Sequence, residues 1–173
     1  MIRQAVMADI DSVEESYQEH FLYEKNHEAY TVFKEGVYPT RKDAERALQN
    51  GALYVYEDNG RILGSIILDG QPPDEYRKIS WPSRESDDRV KVIHLLMVRP
   101  GEAGKGIGAA LVNDALETAK KHSCAAVRLD TGEQNRPAIA LYKKLGFQLA
   151  AASEMKVGGL ISHKRHLFFE KVL

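Results

Sequence analysis

The sequence predicts an α/β fold built on a mixed, centrally parallel sheet, and three observations carry that reading. Residues 92–98, Val-Ile-His-Leu-Leu-Met-Val, are nearly all apolar, as expected of a strand covered on both faces. A glycine-rich turn follows, then a run from Ile107 with Leu111, Val112, Ala115, Leu116 and Ala119 at helical spacing, then a second strand at Ala125 to Leu129. Such a strand, helix and strand cross over right-handed and pair in parallel. Outside this unit, tight turns at Asn59-Gly60 and Gly158-Gly159 join β-rich runs into hairpins.

The remaining elements follow in order. Residues 2–6 read as a strand, and the next helix carries Ile10, Val13, Tyr17 and Phe21. Residues 24–39 show no clear period. Thr40-Arg41-Lys42-Asp43 opens a second helix with an Asp-for-Glu capping box, and Asn50-Gly51 stops it. Leu53 to Tyr56 and Ile62 to Leu68 are the strands of the first hairpin. Residues 70–90, with Pro72, Pro73 and Pro82, form a loop too long to be a mere connection. Asn135 caps a last helix with Pro137 in its first turn and Ala138, Leu141, Tyr142 and Leu145 on one face; Gly146 ends it. Phe147 to Val157 and Ser162 to Val172 are the closing strands, so the order is β-α-α-β-β-β-α-β-α-β-β, one domain over residues 1–173.

Composition excludes several classes. A length of 173 residues, 43% hydrophobic and 28% charged, is ordinary for one globular core, not for a disordered or collagen-like chain or a membrane bundle. Twenty-four basic against twenty-five acidic residues leave a net charge of −1, so no nucleic-acid or membrane partner is expected. The lone Cys124 cannot form an internal disulfide and reads as a small buried hydrophobe, and the start carries no apolar signal, so a cytoplasmic protein is expected. No metal site is expected: His163 and His166 would face opposite sides of a strand, and His20 and His27 would lie about 10 Å apart along a helix.

The chemistry sits in two segments. In Val98-Arg99-Pro100-Gly101-Glu102-Ala103-Gly104-Lys105-Gly106-Ile107-Gly108-Ala109, glycines let backbone N–H groups approach a ligand, and the helix start adds partial positive charge. The element suits a phosphate or pyrophosphate. Gly104-x-Gly106-x-x-Ala109 also fits the dinucleotide fingerprint, with Asp130 about twenty residues on, but Arg99 to Ala103 intervene and only one βαβ unit is present. A nucleoside triphosphate loop fits less well, with Arg99 in place of its first Gly and Gly106 after Lys105, where Ser or Thr should stand.

The second segment is Asn135-Arg136-Pro137-Ala138-Ile139-Ala140-Leu141-Tyr142-Lys143-Lys144-Leu145-Gly146-Phe147. Together the two resemble the GNAT superfamily of acetyl-CoA-dependent N-acetyltransferases, with a strand ending Leu-x-Val-x-Pro, a glycine-rich pyrophosphate loop and Asn-x-x-Ala-x-x-Leu-Tyr-x-x-x-Gly-Phe. Ile2-Arg3-Gln4-Ala5 is also typical of that family. The resemblance implies a twisted sheet with helices on both faces, sandwich-like in its layering. It implies that Leu96, Met97 and Val98 present backbone groups to the pantetheine arm of acetyl-CoA. Gly104, Lys105, Gly106, Ile107, Gly108 and Ala109 would wrap its pyrophosphate, and Asn135 and Tyr142 would lie beside its thioester. One departure is Ala103, where the family usually has Gln or Arg.

Acyl transfer to an amine requires an oxyanion donor, removal of the ammonium proton and protonation of the leaving thiolate. A backbone N–H near Val98 would serve the first and the Tyr142 hydroxyl the third. A lysine-like amine is neutral in only about one part in 2,500 at pH 7, so a base is needed, and His94 is the first candidate, ahead of Asp130 and Glu133. Strand parity leaves open whether His94 faces the cleft or the core. Tyr76 and Trp81 in the long loop are expected to form a flap over the amine, and Lys105, Lys143 and Lys144 are within reach of phosphates. The acceptor is a small-molecule or peptide amine. A non-catalytic acyl-CoA-binding module and a nicotinamide-dinucleotide oxidoreductase are the alternatives, and oligomeric state stays open, a homodimer included.

Overall fold

The computed structural model describes residues 1–173. It contains strand β1 (Ile2–Gln4), helices α1 (Ile10–Asn26) and α2 (Arg41–Gln49), and strands β2 (Leu53–Asp58), β3 (Arg61–Asp69) and β4 (Val90–Val98). Helix α3 (Ile107–Lys121), strand β5 (Ala126–Gly132), helix α4 (Arg136–Lys144) and strands β6 (Gln148–Val157) and β7 (Ile161–Val172) complete it. The element order is the expected one.

Local chemistry sets the boundaries. The Thr40 amide and hydroxyl both donate to the Asp43 carboxylate, at 2.7 and 2.9 Å, so Asp fills the role of Glu in the box that starts α2. Asn59 and Gly60 take positive φ angles of 50° and 78°, turning β2 into β3. All seven strands join one sheet in the order β1-β2-β3-β4-β5-β7-β6. Only β4 and β5 pair in parallel; every other pairing is antiparallel. With one parallel pair, the dinucleotide alternative loses its architecture, which needs several parallel strands.

Helices cover both faces. On one, Ile107, Leu111, Val112, Ala115 and Ala119 of α3 and Tyr142 of α4 pack on Leu63, Ile66, Ile93, Leu129 and Phe169. On the other, Ile10, Val13 and Tyr17 of α1 and Ala44 and Ala47 of α2 pack on Leu53, Val55, Ile67, Leu95 and Met97. The half of that second face nearest β5 to β7 has no helix. Residues 70–90 cover it instead.

This loop is a packed strap: Tyr76 and Trp81 face the core and not a substrate, while Pro73, Asp74 and Glu75 line a cavity. Tyr76 and Trp81 are buried, with rings 5.5 and 6.3 Å from that of Phe168, and the Trp81 indole N–H donates to the Tyr76 carbonyl at 3.0 Å. Below them Arg128 and Glu170, both almost fully buried, form an ion pair at 2.8 Å. Glu170 also accepts from the Ser83 amide and hydroxyl, each at 2.8 Å, and the Arg128 guanidinium lies 4.6 Å from the centre of the Trp81 ring. Removing one partner of such a pair leaves a buried charge uncompensated, at a cost of about 3–5 kcal/mol, so the strap is held in one position.

Candidate active site

Two irregularities in the sheet build the site. In the β3/β4 ladder Ile67 faces Leu95 and Leu68 faces Ile93, so His94 has no partner and forms a β-bulge. The bulge shifts side-chain parity by one: Ile93 and Leu96 belong to the α3 face, whereas Leu95 and Met97 belong to the α1 face. The parallel pairing of β4 with β5 runs from Val90 and Ala126 only to Ile93 and Leu129, ending beside the bulge. Beyond that point the strands diverge, leaving the β5-facing edge of His94 to Val98 without a strand partner. The split is a window between the two faces of the sheet.

On the α1 face the window opens into a cavity of about 410 Å³ lined by Tyr38, Asp74, Glu75, His94, Asp130 and Lys156, among others. His94 is therefore a cleft residue and not a core histidine. Its Nε2 lies 2.7 Å from Oδ1 of Asp69, which also accepts from the Gln71 amide at 2.8 Å. A carboxylate only accepts, so Nε2 carries the proton and Nδ1 of the neutral ring keeps a lone pair. Asp130 accepts from the Tyr76 hydroxyl at 2.7 Å and from Nδ1 of His166 at 2.8 Å. Burial, reinforced by the Asp130 charge, pushes the Tyr76 phenol well above its ordinary value.

Tyr142 stands on the opposite, α3 and α4 face, its ring 5.7 Å from Phe147 and 6.2 Å from Phe169. Its hydroxyl has no hydrogen-bond partner in the chain, yet it is not one of the polar atoms sealed from solvent. Burial is the main cause that raises its pKa, and the Asp130 carboxylate adds to it, so the phenol senses a group across the window. Asn135 caps α4, its Oδ1 accepting from the Ala138 amide at 3.3 Å. Glu133 is engaged with Arg165 at 2.7 Å.

The glycine loop meets a direct test of fit. The backbone N–H groups of Gly104, Lys105, Gly106, Ile107, Gly108 and Ala109 find no acceptor in the chain; the next one, Ala110, donates to the Gly106 carbonyl. Gly104 and Gly106 have φ of 80° and 82°, and a Cβ on either would meet nothing within 4 Å. Six consecutive free donors at a helix start, bordered by open space, suit a pyrophosphate. The Lys105 ammonium pairs with Glu102 at 2.7 Å, so its contribution here is its amide.

Sequence reasoning missed Asp69, Tyr38 and His166. The alternation that would place Asp69 beside His94 is broken by the bulge, and Tyr38 lies in the stretch without period. His163 and His166 are a correction: their ring centres are 4.8 Å apart, because β7 carries one extra residue between Ser153↔His166 and Met155↔His163. Cys124 is half-buried in the turn before β5. A wider recess of about 740 Å³, near Gln4, Asn50, Lys91 and His122, touches this machinery only through Asp69.

A seven-stranded sheet split beside a glycine loop defines the class to which the sequence comparisons also lead. Residues 10–147 match the acetyltransferase (GNAT) family, and the chain belongs to it. It is 38% identical over 96 residues to the uncharacterized N-acetyltransferase MJ1207 of Methanocaldococcus jannaschii, covering 56% of this chain and 38% of that one. Glucosamine 6-phosphate N-acetyltransferase of Trypanosoma brucei brucei is 33% identical over 96 residues, covering 56% and 57%. The chain thus aligns with well under two thirds of the length of these curated relatives. A GNAT-family acetyltransferase from Streptococcus agalactiae superposes with a TM-score of 0.83 at 20% identity, covering 100% of this chain and 95% of that one. YncA of Salmonella typhimurium, solved with its cofactor acetyl-CoA, gives 0.73 at 18% identity, covering 100% and 93%.

Proposed function

We propose that the chain transfers the acetyl group of acetyl-CoA directly to a primary amine of a small, positively charged acceptor. The observation that carries this reading is the window between β4 and β5, with an oriented imidazole on one side and a free phenol on the other. Asp74, Glu75 and Asp130 outnumber Lys156 in the cavity wall, which favours a cation over an anion. The relative from Trypanosoma is named for a phosphorylated amino sugar, a primary amine whose anionic group does not match this acidic wall.

When bound, acetyl-CoA supplies an activated acyl group and a thiol leaving group. The free edge of Leu96, Met97 and Val98 would hold its arm, and the six N–H groups from Gly104 to Ala109 its pyrophosphate, with Asn135 and Tyr142 near the reacting end. A backbone N–H near Val98 donates to the carbonyl oxygen as negative charge develops. Nδ1 of His94, aimed by Asp69, takes a proton from the attacking nitrogen. The Tyr142 hydroxyl donates a hydrogen bond to the departing sulfur.

The test is a panel of primary amines with acetyl-CoA, followed by release of free thiol: diamines and polyamines, amino sugars, amino acids and lysine peptides. Cationic amines should turn over faster than acidic ones. Acetyl-CoA binding in calorimetry with no thiol released by any amine would instead establish a non-catalytic binding module.

A further inference from the structure

A primary amine in the act of attack carries two N–H groups and one lone pair, and the lone pair is aimed at the thioester only when both N–H groups are held. Nδ1 of His94 takes one of them. The other needs a second acceptor on the cavity wall. We propose that this acceptor is the Tyr38 hydroxyl, which fixes the rotation of the attacking amine. The assignment rests on the cavity being the amine site.

The other polar side chains of the wall are committed elsewhere. Asp130 accepts from the Tyr76 hydroxyl at one oxygen and from Nδ1 of His166 at the other. Glu75 accepts from the Lys156 amide at 3.3 Å, the Asp74 side chain is 92% exposed and pairs with Arg77, and the Lys156 ammonium can only donate. Tyr38 borders the same cavity and is 7% exposed; its hydroxyl has no partner in the chain, yet it is not one of the polar atoms sealed from solvent. A buried tyrosine hydroxyl ordinarily has a partner, and here the occupant of the cavity is the one available.

The hydroxyl is also held in place. The Tyr38 amide donates to the Lys34 carbonyl at 3.0 Å and the Tyr38 carbonyl accepts from the Lys34 amide at 3.1 Å, closing the turn that carries the ring. Phe33 meets the ring edge-on with centres 5.6 Å apart, and Gly158 lies so close on another side that a Cβ there would collide with it. Burial first, then Tyr17, Asp43 and Asp130, raises the pKa of the phenol, so it stays un-ionised and holds the N–H without taking its proton. Nδ1 of His94 receives one proton as the C–N bond forms. The hydrogen held by Tyr38 stays on nitrogen and becomes the amide N–H of the product.

The experiment uses the amine of the panel that wild type acetylates fastest. Tyr38→Phe keeps the ring and removes only the hydroxyl, so kcat at saturating acetyl-CoA should fall by about tenfold or more, with acetyl-CoA affinity in calorimetry within about twofold of wild type. Gly158→Ala, which displaces the ring, should give a similar loss alone and no more than about a further twofold when combined with Tyr38→Phe, because no hydroxyl is left to misplace. Turnover by the Phe variant within about threefold of wild type overturns the assignment, as does a loss matched by weaker acetyl-CoA binding, or losses from the two substitutions that multiply. If wild type acetylates no amine of the panel, the amine site itself falls, and that result is distinct from turnover that ignores the hydroxyl.

Discussion

At the scale of single residues, Tyr142 is the sharpest case, because its surroundings change what its hydroxyl can do. Burial chiefly, then Asp130, raises its pKa, so the phenol remains protonated further into alkaline solution than an ordinary tyrosine. An ordinary phenol, near 10, is already a weaker acid than a thiol of pKa about 8.5, and the shift widens the gap, so complete transfer to the sulfur is uphill. Stabilising the sulfur by a hydrogen bond is the part it can play. Tyr142→Phe should therefore lower kcat by about 10–100-fold, toward the low end for general acids, with little change in acetyl-CoA affinity. The wild-type alkaline limb should lie above pH 10, and the Phe variant should lack it. Wild-type turnover in the Phe variant would leave Tyr142 with packing alone. His94 shows the limit of reading residues from sequence: a bulge depends on how a neighbouring strand pairs, and β3 lies more than twenty residues away.

At the scale of elements, the turn into α3 is legible, since alternating glycines before an apolar run at helical spacing mark a helix start. The strap is not, because its aromatic residues are spaced for a partner sheet and not for any period of their own. Arg128 and Glu170 hide in the same way: each sits in an apolar strand and makes sense only as a pair. For the loop, Gly106→Val tests the binding role directly. Position 106 has φ of 82°, so a branched side chain strains the turn by about 1–2 kcal/mol while projecting into open space, where no core contact is lost. The fold should persist by circular dichroism, and acetyl-CoA affinity in calorimetry should fall by at least tenfold. Unchanged affinity would move the pyrophosphate elsewhere.

At the scale of the whole molecule, α3 and α4 on one face and α1, α2 and the strap on the other leave the window as the passage between glycine loop and cavity. The cores on either side of that passage are rich in buried phenols. Tyr17, Tyr38, Tyr76 and Tyr142 are all raised above the ordinary tyrosine value, with burial the first cause in each. The unfolded chain ionises these groups near pH 10 and the folded chain only at higher pH, so above pH 10 the folded state binds more protons. Stability is then intact below pH 10 and falls as pH rises toward the folded values, by about 1.4 kcal/mol per pH unit for each tyrosine. Four together give a slope of about 5.6 kcal/mol per unit, as large as the low end of a whole domain's stability. Urea midpoints at pH 9, 10 and 11, followed by tryptophan fluorescence, should drop steeply above 10, with the tyrosinate absorbance of these four rising as the chain unfolds. The double variant Tyr38→Phe with Tyr142→Phe should halve the slope, whatever its stability at pH 8. A slope unchanged by the two substitutions would mean that lysines or the ion pairs, and not the buried phenols, set the alkaline limit.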